Sequence, residues 1–128
     1  MFSLNKKVAI VTGGASGIGL AISRAFATQG AAVHIFEANI DLAEREADLI
    51  IANGGKAYCH KVDISNQKLI KAKVEKINAI QPINILVNNA GLAAGLATID
   101  EGDTDNWDKM IDTNIKGLLY VTRQIAPM

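Results

Sequence analysis

The sequence predicts a doubly wound α/β fold, a parallel sheet with helices on both faces. Three observations predict it. Short apolar runs alternate with stretches of helical periodicity along the whole chain. The first run ends in a glycine-rich turn that opens a helix. The length of 128 residues, with 49 % hydrophobic and 20 % charged content, suits one globular domain, taken here as residues 1–128.

Each element has its own signal. "VAIVT" (8–12) is a continuous apolar run, as a strand buried on both faces reads. Ile18, Ile22, Ala25 and Phe26 then recur at helical spacing until Gly30 offers a C-terminal stop. "AAVHIF" (31–36) is a second strand. Leu42, Ala43, Ala47 and Ile50 mark a second helix that "NGG" (53–55) ends. "KAYCHKV" (56–62) is a third, more weakly patterned strand. Ser65 or Asn66 caps a third helix with a stripe of Ile70, Val74 and Ile77. "INILV" (83–87) is a fourth strand, followed by a glycine- and alanine-rich loop (90–97). Asp103 or Thr104 opens a last helix whose stripe runs through Trp107, Ile111, Ile115, Leu118, Val121 and Ile125, with Trp107 expected in the core. Right-handed crossovers give the strand order 3-2-1-4.

Composition narrows the function classes. Formal net charge is zero and no basic block occurs, so the electrostatic footprint of a nucleic-acid binder is missing. Lys68, Lys71, Lys73 and Lys76 read as the solvated face of the third helix. One cysteine and two histidines are a thin supply for a metal site. Cys59 and His60 are strand neighbours on opposite faces, and His34 reads as a packed or edge histidine. No membrane span or signal peptide is expected, which points to a cytoplasmic protein.

"TGGASGIG" (12–19) carries the chemistry. A turn without side chains lets a phosphate approach main-chain N–H groups, and the helix dipole adds about half a positive charge. No Gly-Lys-Thr/Ser follows, so this is not a nucleoside-triphosphate loop of the Walker type. Glu37 stands at the end of the second strand, eighteen residues after Gly19. A carboxylate there can accept hydrogen bonds from both ribose hydroxyls of an adenosine and would repel a 2′-phosphate. It favours NAD over NADP.

These segments resemble the short-chain dehydrogenase/reductase family. "TGGASGIG" is similar to its T-G-x-x-x-G-x-G signature, and "VDI" (62–64), "NNAG" (88–91) and the asparagine of "DTNIKG" (112–117) follow in family order. The resemblance implies the first half of a Rossmann-type fold and NAD(P)-dependent hydride transfer to or from a ketone or secondary alcohol, a 3-oxoacyl substrate included. It implies that Gly13, Gly17 and Gly19 shape a pyrophosphate loop lined by Ser16 and Ile18. Asp63 would bond the adenine amino group beside Ile64, and Asn88, Ala90 and Gly91 would meet the cofactor ribose. Asn114 would hold a water in a proton relay. It falls on the apolar stripe, three residues after Ile111, so burial with partners is expected.

The family's proton donor is a tyrosine with a lysine four residues on. Here Tyr58 is followed at that offset by Val62 and Tyr120 by Gln124, and the catalytic serine region is not present either. The expectation is a chain cut short before a fifth strand, which binds NAD without turnover and associates with a second copy through its last helix. The alternative is a non-catalytic nucleotide-binding or oligomerising module.

Overall fold

The computed structural model describes residues 3–92 and 97–127. Residues 93–96, inside the loop expected at 90–97, lie outside the described residues. Strands β1 (Val8–Thr12), β2 (Ala32–Glu37), β3 (Lys56–Lys61) and β4 (Ile85–Val87) form one sheet in the order β3-β2-β1-β4, every neighbouring pair parallel. This is the expected order. β1 is central and buried along its whole length, as its unbroken apolar run requires.

The described residues form the α-helices α1 (Gly17–Thr28), α2 (Ile40–Ala52), α3 (Gln67–Ile80), α4 (Thr104–Ile111) and α5 (Leu118–Ile125). Alternation along the strands divides the core in two. Val11, Val33 and Ile35 meet Ala27 of α1 and Ala43, Ala47 and Ile50 of α2. Val8, Ile10 and Phe36 meet Ile70, Val74 and Ile77 of α3 and Val121 and Ile125 of α5.

Caps fix the helix starts. The Asn39 side chain accepts from the Leu42 N–H (3.2 Å) and Asn66 from the Leu69 N–H (3.1 Å). Asn66 is therefore the cap of α3, and Ser65 serves Asp63 instead. Asp103 caps α4 by accepting from the Asp105 N–H at 2.8 Å.

Three expectations are corrected. The fourth strand starts at Ile85, later than "INILV" implied, because the Asn84 side chain takes the ladder position and accepts from the Val8 N–H at 2.9 Å. The last helix is also not one α-helix. A π-helical turn, Asp112–Gly117, separates α4 from α5. Only the α5 end of the expected stripe reaches the core, because α5 packs on α3 and α4 does not share that seat. Trp107 is 38 % exposed and lies against Gly102, where any Cβ would collide with the indole.

Candidate functional site

The C-terminal ends of the strands open into one cleft of about 320 Å³. Gly13 and Ser16 line it from the turn after β1, and Phe36, Glu37 and Ala38 from the end of β2. Val62, Asp63 and Ile64 follow β3, and Asn89, Ala90, Gly91 and Leu92 follow β4. Thr113 of the π turn completes the lining. The cleft therefore sits where the strand order reverses, between β1 and β4, the place where open α/β sheets bind ligands.

The glycine turn is built without room for side chains. Gly13 holds φ +63°, in the left-handed region that favours glycine. A Cβ on Gly19 would collide with the Gly13 carbonyl and the Asn89 amide. Buried Ser23 fastens the turn to α1, its hydroxyl 3.0 Å from the Gly14 carbonyl and 2.9 Å from that of Gly19. Ser16 opens α1 without a side-chain capping bond, and no acidic residue stands in the first turn. The first-turn N–H groups and the helix dipole are left to attract an anion.

Thr12 joins the ends of β1 and β4. Its Oγ1 accepts from the N–H groups of Asn89 (3.1 Å) and Ala90 (3.0 Å) and donates to the Val87 carbonyl (3.4 Å). Asn89 Nδ2 donates to the Gly13 carbonyl at 3.0 Å, which ties the β4 loop to the glycine turn. The charged groups of the lining are both carboxylates. Glu37, half-buried, accepts through Oε1 from the Asn39 N–H at 3.3 Å. Asp63 accepts through Oδ1 from the Ser65 N–H (3.0 Å) and hydroxyl (2.7 Å), so neither bond uses Oδ2.

Of the residues expected at the site, Gly13, Ser16, Glu37, Asp63, Ile64, Ala90 and Gly91 come together in the cleft. Gly17 and Ile18 lie exposed at the start of α1, and Gly19 is buried beneath the turn. Asn88 turns away, donating from Nδ2 to Thr122 Oγ1 of α5 at 3.0 Å. Asn114 lies outside the lining and is exposed, not buried as its stripe position implied. The stripe reaches no core at this point, and Ile111 and Ile115 on it are exposed as well. Asn114 still finds two partners, since Oδ1 accepts from the Leu92 N–H and Nδ2 donates to the Leu92 carbonyl, both at 2.8 Å. Thr12, Phe36, Ala38, Asn89, Leu92 and Thr113 carry no separate signal in the sequence, although Thr12, Asn89 and Thr113 stand inside the quoted motifs.

The histidines also pair unexpectedly. Parallel register sets His34 opposite Tyr58 and Phe36 opposite His60, which brings His34 Nδ1 to 2.9 Å from His60 Nε2. Burial pushes the pKa of His34 down to about 4. His60 is pushed to about 4 by burial first, then by the charges of His34, Lys73 and Lys76. No group of three metal-ligating side chains occurs among the described residues. No helix among them is long and apolar enough to cross a membrane.

The profile of the short chain dehydrogenase family matches residues 7–128. The chain belongs to this family. It is 38 % identical over 94 % of its length to the NADP-dependent 3-hydroxy acid dehydrogenase YdfG of Escherichia coli, of which it covers 48 %. A metagenomic short-chain oxidoreductase solved with NADP superposes with a TM-score of 0.93 at 32 % identity, over 98 % of this chain and 57 % of the other. An NAD⁺-bound xylitol dehydrogenase shares the fold, with a TM-score of 0.93 at 24 % identity, over 98 % of this chain and 49 % of that one. The chain thus spans about half the length of the relatives it matches.

Proposed function

We propose that this chain is the cofactor-binding part of an NAD(P)-dependent oxidoreductase acting on a ketone or secondary alcohol, with NAD preferred over NADP. One observation carries the proposal: a single cleft holds both a tight glycine turn at an uncapped helix start and the carboxylates of Glu37 and Asp63. Main-chain N–H groups around Gly13, Ser16, Gly17, Ile18 and Gly19 would hold the pyrophosphate. Glu37 would accept from the adenosine ribose hydroxyls. Asp63 Oδ2 would accept from the adenine amino group, with Ile64 against the ring. Ala90 and Gly91 would meet the second ribose, and Asn88 holds α5 beside that loop.

When bound, the nicotinamide supplies or accepts the hydride. The protein must position it and manage a proton. Asn114 is the proposed relay residue, and its grip on Leu92 fixes the loop that follows β4. The sequence holds no tyrosine with a lysine four residues on, so these 128 residues are proposed to bind the nucleotide without turning it over. A 3-hydroxy acid or 3-oxoacyl substrate falls within the proposed class, on the likeness to YdfG. The exposed apolar row of Trp107, Ile111, Ile115, Leu118 and Leu119 supports association with a second copy. A monomeric sedimentation profile at high concentration would count against that association. A reducing, cytoplasmic setting suits the free Cys59.

Titration calorimetry with NAD and NADP tests the proposal. A unit charge pair at ~4 Å and an effective dielectric near 20 is worth about 4 kcal/mol, and the half-exposed Glu37 would realise only a fraction. NAD is expected to bind at least about tenfold more tightly, and Glu37→Gln to narrow the gap. Equal affinities, or an NADP preference like that of YdfG, would remove the NAD assignment. Failure of both nucleotides to bind an intact fold would remove the whole proposal.

A further inference from the structure

A second cavity, of about 400 Å³, lies between β3 and α3 and shares no lining residue with the cofactor cleft. Val8, Ala32 and Ile77 make it apolar. One wall is a stack of three rings. His34 lies on Tyr58 with centroids 4.8 Å apart and planes at 20°, and on His60 at 5.1 Å and 23°. Lys73, Lys76 and Ile80 of α3 border the opposite side, with Ile80 84 % exposed.

The charge of this cavity is one-sided. Two lysines line it and no carboxylate does. Neither lysine forms an ion pair among the described residues, although Lys71 on the same helix pairs with Glu75. The two histidines satisfy each other through the 2.9 Å contact, and burial keeps both neutral at ordinary pH. The positive field there is therefore that of Lys73 and Lys76. It is felt by His60, whose proton affinity both lysines lower. Two adjacent ammonium groups disfavour a metal cation at the histidine pair. A polyphosphate would waste the apolar floor of Val8, Ala32 and Ile77. An apolar body ended by a single carboxylate uses every feature: ammonium groups for the charge, aliphatic floor and ring stack for the body.

We infer that the cavity between β3 and α3 is a second ligand site, selective for a small amphipathic carboxylate with an aromatic or aliphatic body. The site stands apart from the cofactor assignment, because the two cavities have no residue in common.

The test uses 4-phenylbutyrate as probe on the purified protein, followed by NMR of the His34 and His60 ring protons. A saturable shift with a millimolar or tighter dissociation constant is expected. 4-Phenylbutan-1-ol, which has the same body without the charge, should bind about tenfold more weakly. The Lys73→Gln/Lys76→Gln double variant should lose about tenfold for the carboxylate and keep the wild-type circular dichroism. Excess NAD should leave the probe in place. Absence of a saturable shift, equal binding of the alcohol, undiminished binding to the lysine variant, or displacement by NAD would each overturn the inference.

Discussion

The two faces of the sheet solve the same burial problem with different side chains. On the α1 and α2 face the buried residues are mostly small: Ala15, Ala27, Ala31, Ala43, Ala47 and Ala57 beside Val11, Val33, Ile35 and Ile50. On the α3 and α5 face they are large: Ile70, Val74, Ile77, Ile83, Val121 and Ile125 against Val8, Ile10 and Phe36. Small residues let helices ride close to the strands. Close seating serves the cleft, because the start of α1 must meet the end of β1 for Gly19 to pack on Gly13. The large-residue face has no such duty. It leaves a strip beside β3 that His34, Tyr58 and His60 occupy and only partly close.

This contrast can be broken from either side. The largest effect is expected from Ile70→Ala. Ile70 is fully buried, and its loss should destabilise the fold by about 2–5 kcal/mol in urea unfolding. Ala47→Leu attacks the other face by overfilling it, with an expected loss of about 1–3 kcal/mol in the same assay. A neutral Ala47→Leu would show that α2 has slack, and the account of close seating would fail. The smallest effect concerns the ring stack, where partial exposure screens the charge. His34 and His60 titrate near 4 when folded, below their ordinary 6.5. The unfolded chain therefore binds their protons first as pH falls. Their contribution is whole above about 6.5 and drains away down to about 4. Melting temperatures across that window should fall with acid, and His34→Gln/His60→Gln should flatten part of the slope.

Local chemistry made much of the molecule legible. The apolar run at 8–12 is β1 residue for residue, and Asn66, with Ser65 one of two polar residues placed to cap α3, is its cap. Cleft residues were legible where a strand end and a turn coincide, as at Gly13, Glu37 and Asp63. What escaped depends on partners distant in sequence. The contact between His34 and His60 needs the register of two parallel strands joined through α2, and no local pattern reports that register. Thr12 could not be read as a junction until Asn89 and Ala90 were beside it. The π turn was hidden for another reason. Apolar spacing reports which face of a helix is buried, and a single wide turn changes the phase without erasing the stripe.

That wide turn bears on how the segment tolerates change. An α-helix advances about 100° per residue, and a π turn accommodates one surplus residue within an otherwise regular rod. Removing one residue between Ile115 and Gly117 should restore ordinary winding with α4 and α5 kept in phase, and turn the residues left inside the segment by some fraction of that angle. Asn114 would then lose Leu92, and the tie between this turn and the loop after β4 would go with it. Point replacements on the exposed side of this stretch should be borne easily, whereas a change in its length should not.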